Sequence, residues 1–552
     1  MAADTLFEFL ESATREIRDA SVSLTEEGVE TTVAELLARG SMASAVLHEH
    51  GVRPGDPVGI LAKNGSGFLT GLFGAFHSGA IAVPMALPFT ADLGAYVEHI
   101  RRIVEDAGIG FIIVDSSLPT IAGGLMGVLP GVVPIPTDTL TAAEPGERIH
   151  RSPDALALIQ YTSGSTSHPK GVALSHRNII AGLTGIRLAA SISAEDRWSL
   201  WLPLFHDMGL FSLLTAVSTG GDVALWQPRT FMKNPADWLS RFAEERRTIT
   251  VAPNFAYDAL NEVRQRFDDG PLDLSAWRLA FNGAEPVHQA TVAAFQRGYG
   301  EFGVRPTVMY PVYGMAEATL AVCFPSLSAQ PRFFFADRDR LADEGRAVAV
   351  DAVASTARPV ACVGAPTPGV DLRVVAQGRA RQEGEVGEIE IRGEPVTAGY
   401  YRKDGVVVPQ AGAAEGGWLA TGDLGFLLAG ELYVVGRSKN VLVVRGKNYF
   451  AEDVESVVRA LPGTFRGHCA AMATEDEHGE YMGVVVETEL AGAHRDQLRE
   501  LIGKRLVAEL GLASVRISFV APRSIPYTSS GKVRRGAITF EASSAHGNNR
   551  QG

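Results

Sequence analysis

Eleven residues, Tyr161 to Gly171 (YTSGSTSHPKG), hold five Ser/Thr hydroxyls, two glycines, one proline and one lysine. They follow the apolar run Ala155-Leu156-Ala157-Leu158-Ile159-Gln160 and lead through Val172 to Leu174 into Ser175-His176. Such a loop can neither pack as core nor continue a strand. Gly164 permits a tight turn, the hydroxyls and backbone N–H groups are donors, and Lys170 adds positive charge, which together are the chemistry of a phosphate cradle. A flexible Ser/Gly linker is the alternative, but linkers rarely sit between two apolar strand-like runs. Four more turns each close an apolar run: Phe205-His206-Asp207-Met208-Gly209, Pro253-Asn254-Phe255, Asn282-Gly283-Ala284-Glu285-Pro286 and Pro311-Val312-Tyr313-Gly314-Met315-Ala316-Glu317. Ligands of open parallel sheets bind at the carboxyl ends of the strands, so these turns are predicted to converge on one pocket with the loop.

The elements that must position them alternate. Val58-Gly59-Ile60-Leu61 and Phe111-Ile112-Ile113-Val114 read as buried strands, and residues 90–108 as an amphipathic helix ending at Gly108. The pattern predicts an α/β fold: a large N-terminal domain of doubly wound mixed sheets, a small β-rich subdomain, and a small mobile α/β C-terminal domain. The expected boundaries are 1–436 for the large domain, with the β-rich part at about 363–436, then 437–540, then a disordered polar tail at 541–552. Gly65-Ser66-Gly67 followed by Gly71 imitates a dinucleotide fingerprint, but its spacing reads as helix packing, and no Walker sequence occurs.

At 552 residues the chain calls for two or more domains. Its 46% hydrophobic and 20% charged residues are those of a soluble globular protein, and a net charge of −13 argues against a nucleic-acid surface. Cys323, Cys362 and Cys469 form no disulfide framework or metal spacing, which fits a reducing cytoplasm. The N-terminus lacks the pattern of a signal peptide. The most membrane-like stretch, Gly67 to Phe89, is broken by His77-Ser78-Gly79, Pro84 and Pro88, so no membrane span is expected.

Six motifs in order, YTSGSTSHPKG at 161–171, FNGAEP at 281–286, YGMAE at 313–317, TGDLG at 421–425, GRSKN at 436–440 and TSSGK at 528–532, give the chain its resemblance to the adenylate-forming superfamily. That superfamily comprises acyl-CoA synthetases, adenylation domains of peptide synthetases and luciferases, and the likeness covers roughly residues 5–540. It implies that ATP activates a carboxylic acid as its acyl-AMP and that a thiol then takes the acyl group. It implies that Thr162, Ser163, Gly164, Ser165, Thr166 and Lys170 hold the ATP phosphates. Gly283, Ala284, Glu285 and Pro286 would flank adenine with Tyr313, Gly314, Met315 and Ala316. By the same resemblance Glu317 holds Mg²⁺, Asp423 and Arg437 bind ribose, and Lys532 is the catalytic lysine, with Glu317 and His206 beside it. Lys439 would be the hinge, and Arg445, Gly446 and Lys447 would face the thiol tunnel, where a merely solvated charged loop is the alternative.

The wording of HDMGL at 206–210, APNFAYDAL at 252–260, YGMAEATLAV at 313–322 and RGKNYFAEDVE at 445–455 is similar to that of the fatty acyl-AMP ligases. The long segment Leu320 to Cys362 resembles that branch's insertion, which packs near the small domain; a decorative surface insertion is the alternative. The acyl pocket is predicted from His206, Met208, Asn254, Phe255, Tyr257 and Met315, which favours a fatty or other bulky apolar acid over an amino acid. Two departures stand out: Ser167 where the family often has a glycine, and Asn440 where a carboxylate is common. Both leave room for slow adenylation. The expected acceptor is the phosphopantetheine of an acyl carrier protein, with coenzyme A as the alternative and a non-catalytic nucleotide-binding relative as a third reading.

Overall fold

The structure, a computed structural model, describes residues 4–88, 93–162, 169–268, 270–403, 405–409, 416–476, 479–526, 533–538 and 540. Two mixed sheets share one layer of helices. The first has eight strands in the order Val407–Val408, Tyr400–Tyr401, Lys170–Ser175, Leu156–Thr162, Ile81–Pro84, Pro57–Leu61, Phe111–Val114 and Val133–Pro136. Its last five run parallel and its first four antiparallel. The second has seven strands in the order Met309–Pro311, Leu279–Asn282, Ile249–Ala252, Arg197–Leu200, Asp222–Leu225, Ser21–Leu24 and Val29–Thr32, parallel except for the final hairpin.

Helices Leu6–Glu16, Val33–Glu49, Ser66–His77, His176–Ala189 and Asp207–Ser218 fill one core with both sheets. Three of the five begin at a side chain that accepts the first unpaired backbone N–H groups, Thr5, Thr32 and Ser175. Helices Val33–Glu49 and Ser66–His77 cross on glycine. A Cβ on Gly40 would stand 2.7 Å from that of Phe73, and one on Gly74 would stand 2.7 Å from that of Ala43. Gly71 lets the second helix lie on the sheet, since a Cβ there would be 3.0 Å from Cδ1 of Ile113. The dinucleotide-like spacing is therefore helix packing. The amphipathic helix runs Leu93–Ala107 and stops at Gly108, whose φ is +66°.

The third sheet has nine strands and is antiparallel throughout. It starts at Tyr313–Met315, well before position 363, where the sequence texture changes. Its first edge is built from the Tyr313–Glu317 motif and from the long segment read as an insertion, which supplies strands Phe333–Asp337 and Ala357–Pro366. Those strands are too short, and too interrupted by turns, to announce a sheet. Beyond the turn Ser438–Asn440, helices Ala451–Arg459 and Gly492–Leu510 cover a three-stranded sheet with its own core of Val454, Val458, Val484, Ile502 and Leu506. The three cysteines are buried and unbonded. Among the described residues no helix is long and apolar enough to cross a membrane, and residues 541–552 lie outside them.

Replacing Gly74 by Val forces the two helices apart, a kind of overpacking that costs about 1–3 kcal/mol. The expected result is a lowered first thermal transition, read by circular dichroism, and an unchanged melting curve would contradict this crossing.

Candidate active site

Parallel register brings the predicted turns to one edge of the second sheet. The side chain of Asn254 ties two of them: its Oδ1 accepts from the Asn282 side chain at 3.3 Å and, just past that turn, from the His288 backbone at 3.1 Å. The Glu285 carboxylate accepts from the backbone N–H of Phe255 at 2.6 Å, capping helix Asn254–Val263. Met208 reaches within 3.8 Å of where a Cβ on Gly283 would sit. The first sheet joins through two buried amides. Asn64 donates to the carbonyls of Leu202 and Trp226 and accepts from Leu204, while Gln160 donates to the Phe205 carbonyl at 2.7 Å. Neither amide stands out in the sequence, because each is a lone polar residue at the end of an apolar run.

The loop at 161–171 closes a hairpin. Thr162 and Lys170 face each other across strands Leu156–Thr162 and Lys170–Ser175. Ser163, Gly164, Ser165, Thr166 and Ser167 lie outside the described residues, as does Lys532. The stems around Lys532 are held: Arg534 N–H donates to the Pro526 carbonyl at 2.8 Å, and Arg535 pairs at 2.7 Å with Glu455, a buried carboxylate.

Tyr313, Asp423 and Arg437 form one polar array. The Tyr313 hydroxyl donates to Asp423 Oδ2 at 2.8 Å, and Arg437 Nε sits 2.9 Å from Oδ1 of the same carboxylate. Antiparallel pairing of Leu419–Leu428 with Glu431–Arg437 sets Asp423 opposite Arg437. Burial, with Asp423 alongside, pushes the Tyr313 hydroxyl well above its ordinary pKa, and Asp423 raises that of Arg437. Such an array offers an aromatic face and hydrogen-bonding charge side by side. Gly314 is required here, since a Cβ would fall 1.8 Å from the Leu320 carbonyl oxygen.

Glu317 lies in the short turn Ala316–Ala318 and is 9% exposed. Its Oε1 accepts from the Tyr400 hydroxyl at 2.8 Å, and Lys170 Nζ stands 5.1 Å over the Tyr400 ring. Burial raises the Glu317 pKa, and the nearby charge of Asp207 raises it further. A buried carboxylate whose charge is disfavoured fits a hard cation, which would restore the missing countercharge. Among the described residues no group of three His, Cys, Asp or Glu could hold a metal alone. A cation here would take its remaining ligands from phosphate and water, as Mg²⁺ commonly does.

Of the residues predicted for the acyl side, His206 caps helix Asp207–Ser218 with its ring 4.5 Å from that of Phe205, and Phe255 packs edge-on against Trp201. Tyr257 belongs to the aromatic core, with its hydroxyl on the Phe281 carbonyl at 2.7 Å and its ring against Phe295. Met315 is partly buried against the core of the third sheet. Lys439 sits in the turn Ser438–Asn440. Asn440 donates to Glu452 at 2.6 Å, where a carboxylate would meet like charge. Arg445 donates from its backbone to Glu480 at 2.7 Å, Gly446 turns at φ +74°, and Lys447 pairs with Asp339 at 2.8 Å. Asp339 belongs to the long segment, which also meets helix Ala451–Arg459 through Arg358–Asp453 at 2.6 Å and strand Lys447–Phe450 through Asn448 on the Ala342 carbonyl at 3.1 Å. The segment thus packs against the C-terminal part and is more than surface decoration.

Turns gathered at parallel-strand ends, an aromatic–carboxylate–guanidinium array and a buried glutamate define a nucleotide-using α/β enzyme. The chain belongs to the AMP-binding enzyme family, whose pattern matches residues 10–401, and it is an adenylate-forming ligase. It is 32% identical to the long-chain-fatty-acid–AMP ligase FadD26 of Mycobacterium marinum over 92% of this chain and 90% of that one. It is 31% identical to the medium-chain-fatty-acid–[acyl-carrier-protein] ligase JamA of Moorena producens over 97% and 92%. A solved structure from work on fatty acyl-adenylate ligases of E. coli and L. pneumophila superposes with a TM-score of 0.88, at 29% identity and 97% coverage of both chains.

Because the folded state raises the Glu317 pKa, its proton is held more tightly there than in the unfolded chain, and stability falls as pH rises from about 4.5 through the raised value. Glu317→Gln removes that dependence. The variant should match the natural chain in acid and gain on it in stability as pH rises toward neutral, while losing activity. Melting temperatures across pH check this; a gap that does not change with pH would contradict it.

Proposed function

We propose that the protein uses ATP to activate a fatty or other bulky apolar carboxylic acid as its acyl-AMP, then transfers the acyl group to the phosphopantetheine thiol of an acyl carrier protein. One observation carries the reading: Arg437, paired with Asp423 beside Tyr313, stands close enough to Glu317 for their charges to act on each other, and Tyr400 joins Glu317 to Lys170. Alignment over nearly the whole length with ligases named for fatty-acid–AMP and acyl-carrier-protein chemistry supports it.

In the first step a substrate carboxylate oxygen attacks the α-phosphorus, a P–O bond forms, and the bond to pyrophosphate breaks with its electron pair on the leaving oxygen. Charge gathers on phosphate oxygens, so positioning and countercharge do most of the work. Lys170, with the hydroxyls and N–H groups of 162–166, would hold the β- and γ-phosphates. Gly283, Ala284, Glu285 and Pro286 with Tyr313 would enclose adenine, and Asp423 and Arg437 would take the ribose. Lys532 would reach the carboxylate and the α-phosphate. Mg²⁺ at Glu317 would supply countercharge to the phosphates. In the second step a thiolate attacks the acyl carbonyl, the C–S bond forms, and the bond to AMP breaks. The loop of Lys532 must first withdraw, with the turn at Lys439 as pivot.

Asp258 accepts from the Asn254 amide at 3.2 Å, and the Glu285 carboxylate accepts from the backbone N–H of Phe255 at 2.6 Å. Both are engaged by the protein's own donors, which supports an apolar acid over one with an ammonium group. The choice of acceptor rests on the thiol side. Asp339 compensates Lys447, while the Arg445 guanidinium donates to the Glu480 backbone carbonyl at 3.3 Å. A lysine compensated in this way attracts the phosphates of coenzyme A weakly, which favours a carrier protein.

Incubation with ATP, a panel of apolar acids and either coenzyme A or a holo carrier protein, read by mass, should load the carrier. Coenzyme A thioester formed as efficiently would overturn the acceptor. Lys532→Ala should lower acid-dependent pyrophosphate exchange by about a hundredfold or more with the melting curve unchanged. Undiminished exchange would show that the lysine is misassigned.

A further inference from the structure

Residues 394–401 cross from the hairpin that carries the phosphate loop to the turn that carries Glu317. At one end Asn178 donates to the carbonyls of Glu394 and Val396, and Thr319 donates to that of Pro395 at 2.8 Å. In the middle the backbone N–H of Thr397 donates to the Glu317 carbonyl at 2.8 Å, and its hydroxyl caps the Gly399 carbonyl at 2.9 Å. At the far end Ala173 N–H donates to the Gly399 carbonyl at 3.1 Å, and Tyr400 pairs with Val172 as an extra strand. This register makes Tyr400 the diagonal neighbour of Lys170 on the same face of the sheet. Its ring, 7% exposed, therefore lies under the lysine ammonium, while its hydroxyl reaches Glu317.

We propose that Tyr400 is a positioning residue that joins Lys170 to Glu317, so that the phosphate tail of ATP and its divalent cation are held in one fixed relation. The ring gives the ammonium a seat through its negative face, which limits the lysine's rotamers before a phosphate arrives. The hydroxyl fixes the orientation of the Glu317 carboxylate, as hydrogen bonds to metal-binding carboxylates do. Nothing in the sequence announces the role, because two adjacent tyrosines after a glycine read as an ordinary short strand. The inference rests on the adenylation reading of the site, and its test is chosen to separate the two.

Binding of ATP is measured by calorimetry with and without Mg²⁺, beside acid-dependent pyrophosphate exchange. Tyr400→Phe keeps the ring and loses the hydroxyl. It should raise the Mg²⁺ concentration for half-maximal ATP binding by about tenfold and change metal-free ATP binding less than about twofold. Tyr400→Leu loses the ring as well and should weaken metal-free binding severalfold. Melting curves identify any variant that has lost its fold, and Tyr400→Phe, nearly isosteric, carries the decision alone if Tyr400→Leu unfolds. A Tyr400→Phe protein with the natural Mg²⁺ dependence overturns the proposal, as does equal weakening with and without the metal, which would mark a merely structural residue. If the expected binding pattern holds but the natural chain forms no adenylate with any acid, the adenylation reading fails while the role of Tyr400 stands.

Discussion

Two buried amides hold the site together. Asn64, in the turn after strand Pro57–Leu61, and Gln160, in strand Leu156–Thr162, both hydrogen-bond the backbone of the turn that closes strand Arg197–Leu200 in the second sheet, and Asn64 also donates to the Trp226 carbonyl. Removing one amide would strand carbonyls and an N–H group in a dry interface, at about 1–3 kcal/mol for each group left unsatisfied. A hydrophobic contact could hold the two sheets equally close, but it would not fix how far one slides along the other. Hydrogen bonds to named carbonyls fix that, and the sliding coordinate is the one that decides whether Lys170, on one sheet, meets turns on the other two.

With the sheets registered, the site accepts local strain. Ala284, Thr319 and Leu320 are non-glycine residues with φ of +65°, +47° and +81°, and all three flank the nucleotide turns. Each costs on the order of 1–2 kcal/mol relative to an ordinary backbone. Glu317 adds the cost of a carboxylate taken out of water. The surrounding contacts over-determine these conformations: the Thr319 hydroxyl is fixed by the Pro395 carbonyl, and the Leu320 carbonyl lies where only a glycine at 314 leaves room. Destabilising features concentrated around one glutamate are what a preorganised phosphate and cation site requires.

Much of this was legible in the sequence, and the reason is physical. Strands with both faces buried write near-continuous apolar runs, and the turns after them write Gly, Pro and polar residues, so the four turns and the hairpin loop could be read directly. Gly108 and Gly71 record a conformation and a close approach that favour glycine. The third sheet was legible only in part. Its edge strands Tyr313–Met315 and Leu320–Phe324 are short and carry the nucleotide motif, so site chemistry overwrites the alternation that would mark a strand. Tyr400, Asn64 and Gln160 were not legible at all. Their roles come from what lies opposite them across long sequence separations, and single residues in ordinary strands carry no trace of that.

The third sheet also explains how nucleotide binding and movement of the C-terminal part can share one element. Along strand Leu419–Leu428, Asp423 points to the nucleotide array while Leu424 lines a groove of about 440 Å³ on the reverse face, with Leu341, Val386 and Phe450. The partner strand ends at Arg437, and the turn Ser438–Asn440 follows at once, with the Ser438 hydroxyl on the Gly422 carbonyl at 3.1 Å. A pivot at that turn would therefore begin one residue from Arg437 and its ion pair with Asp423. What restrains the C-terminal part beyond the pivot is partly apolar, with Phe450 seated among Leu341, Val360 and Tyr433, and partly polar. Lys447–Asp339 is an exposed pair worth about 0–1 kcal/mol, and water can replace it. Arg358–Asp453 is more buried, yet the same guanidinium also donates to the Val435 carbonyl and stacks on Phe450 at 4.3 Å. The Val435 carbonyl lies on the near side of the pivot and would keep a hydrogen bond to the arginine if the aspartate left. A wholly hydrophobic interface would resist rotation more strongly, so polar contacts set close to Arg437 suit the movement that the proposed two-step reaction calls for.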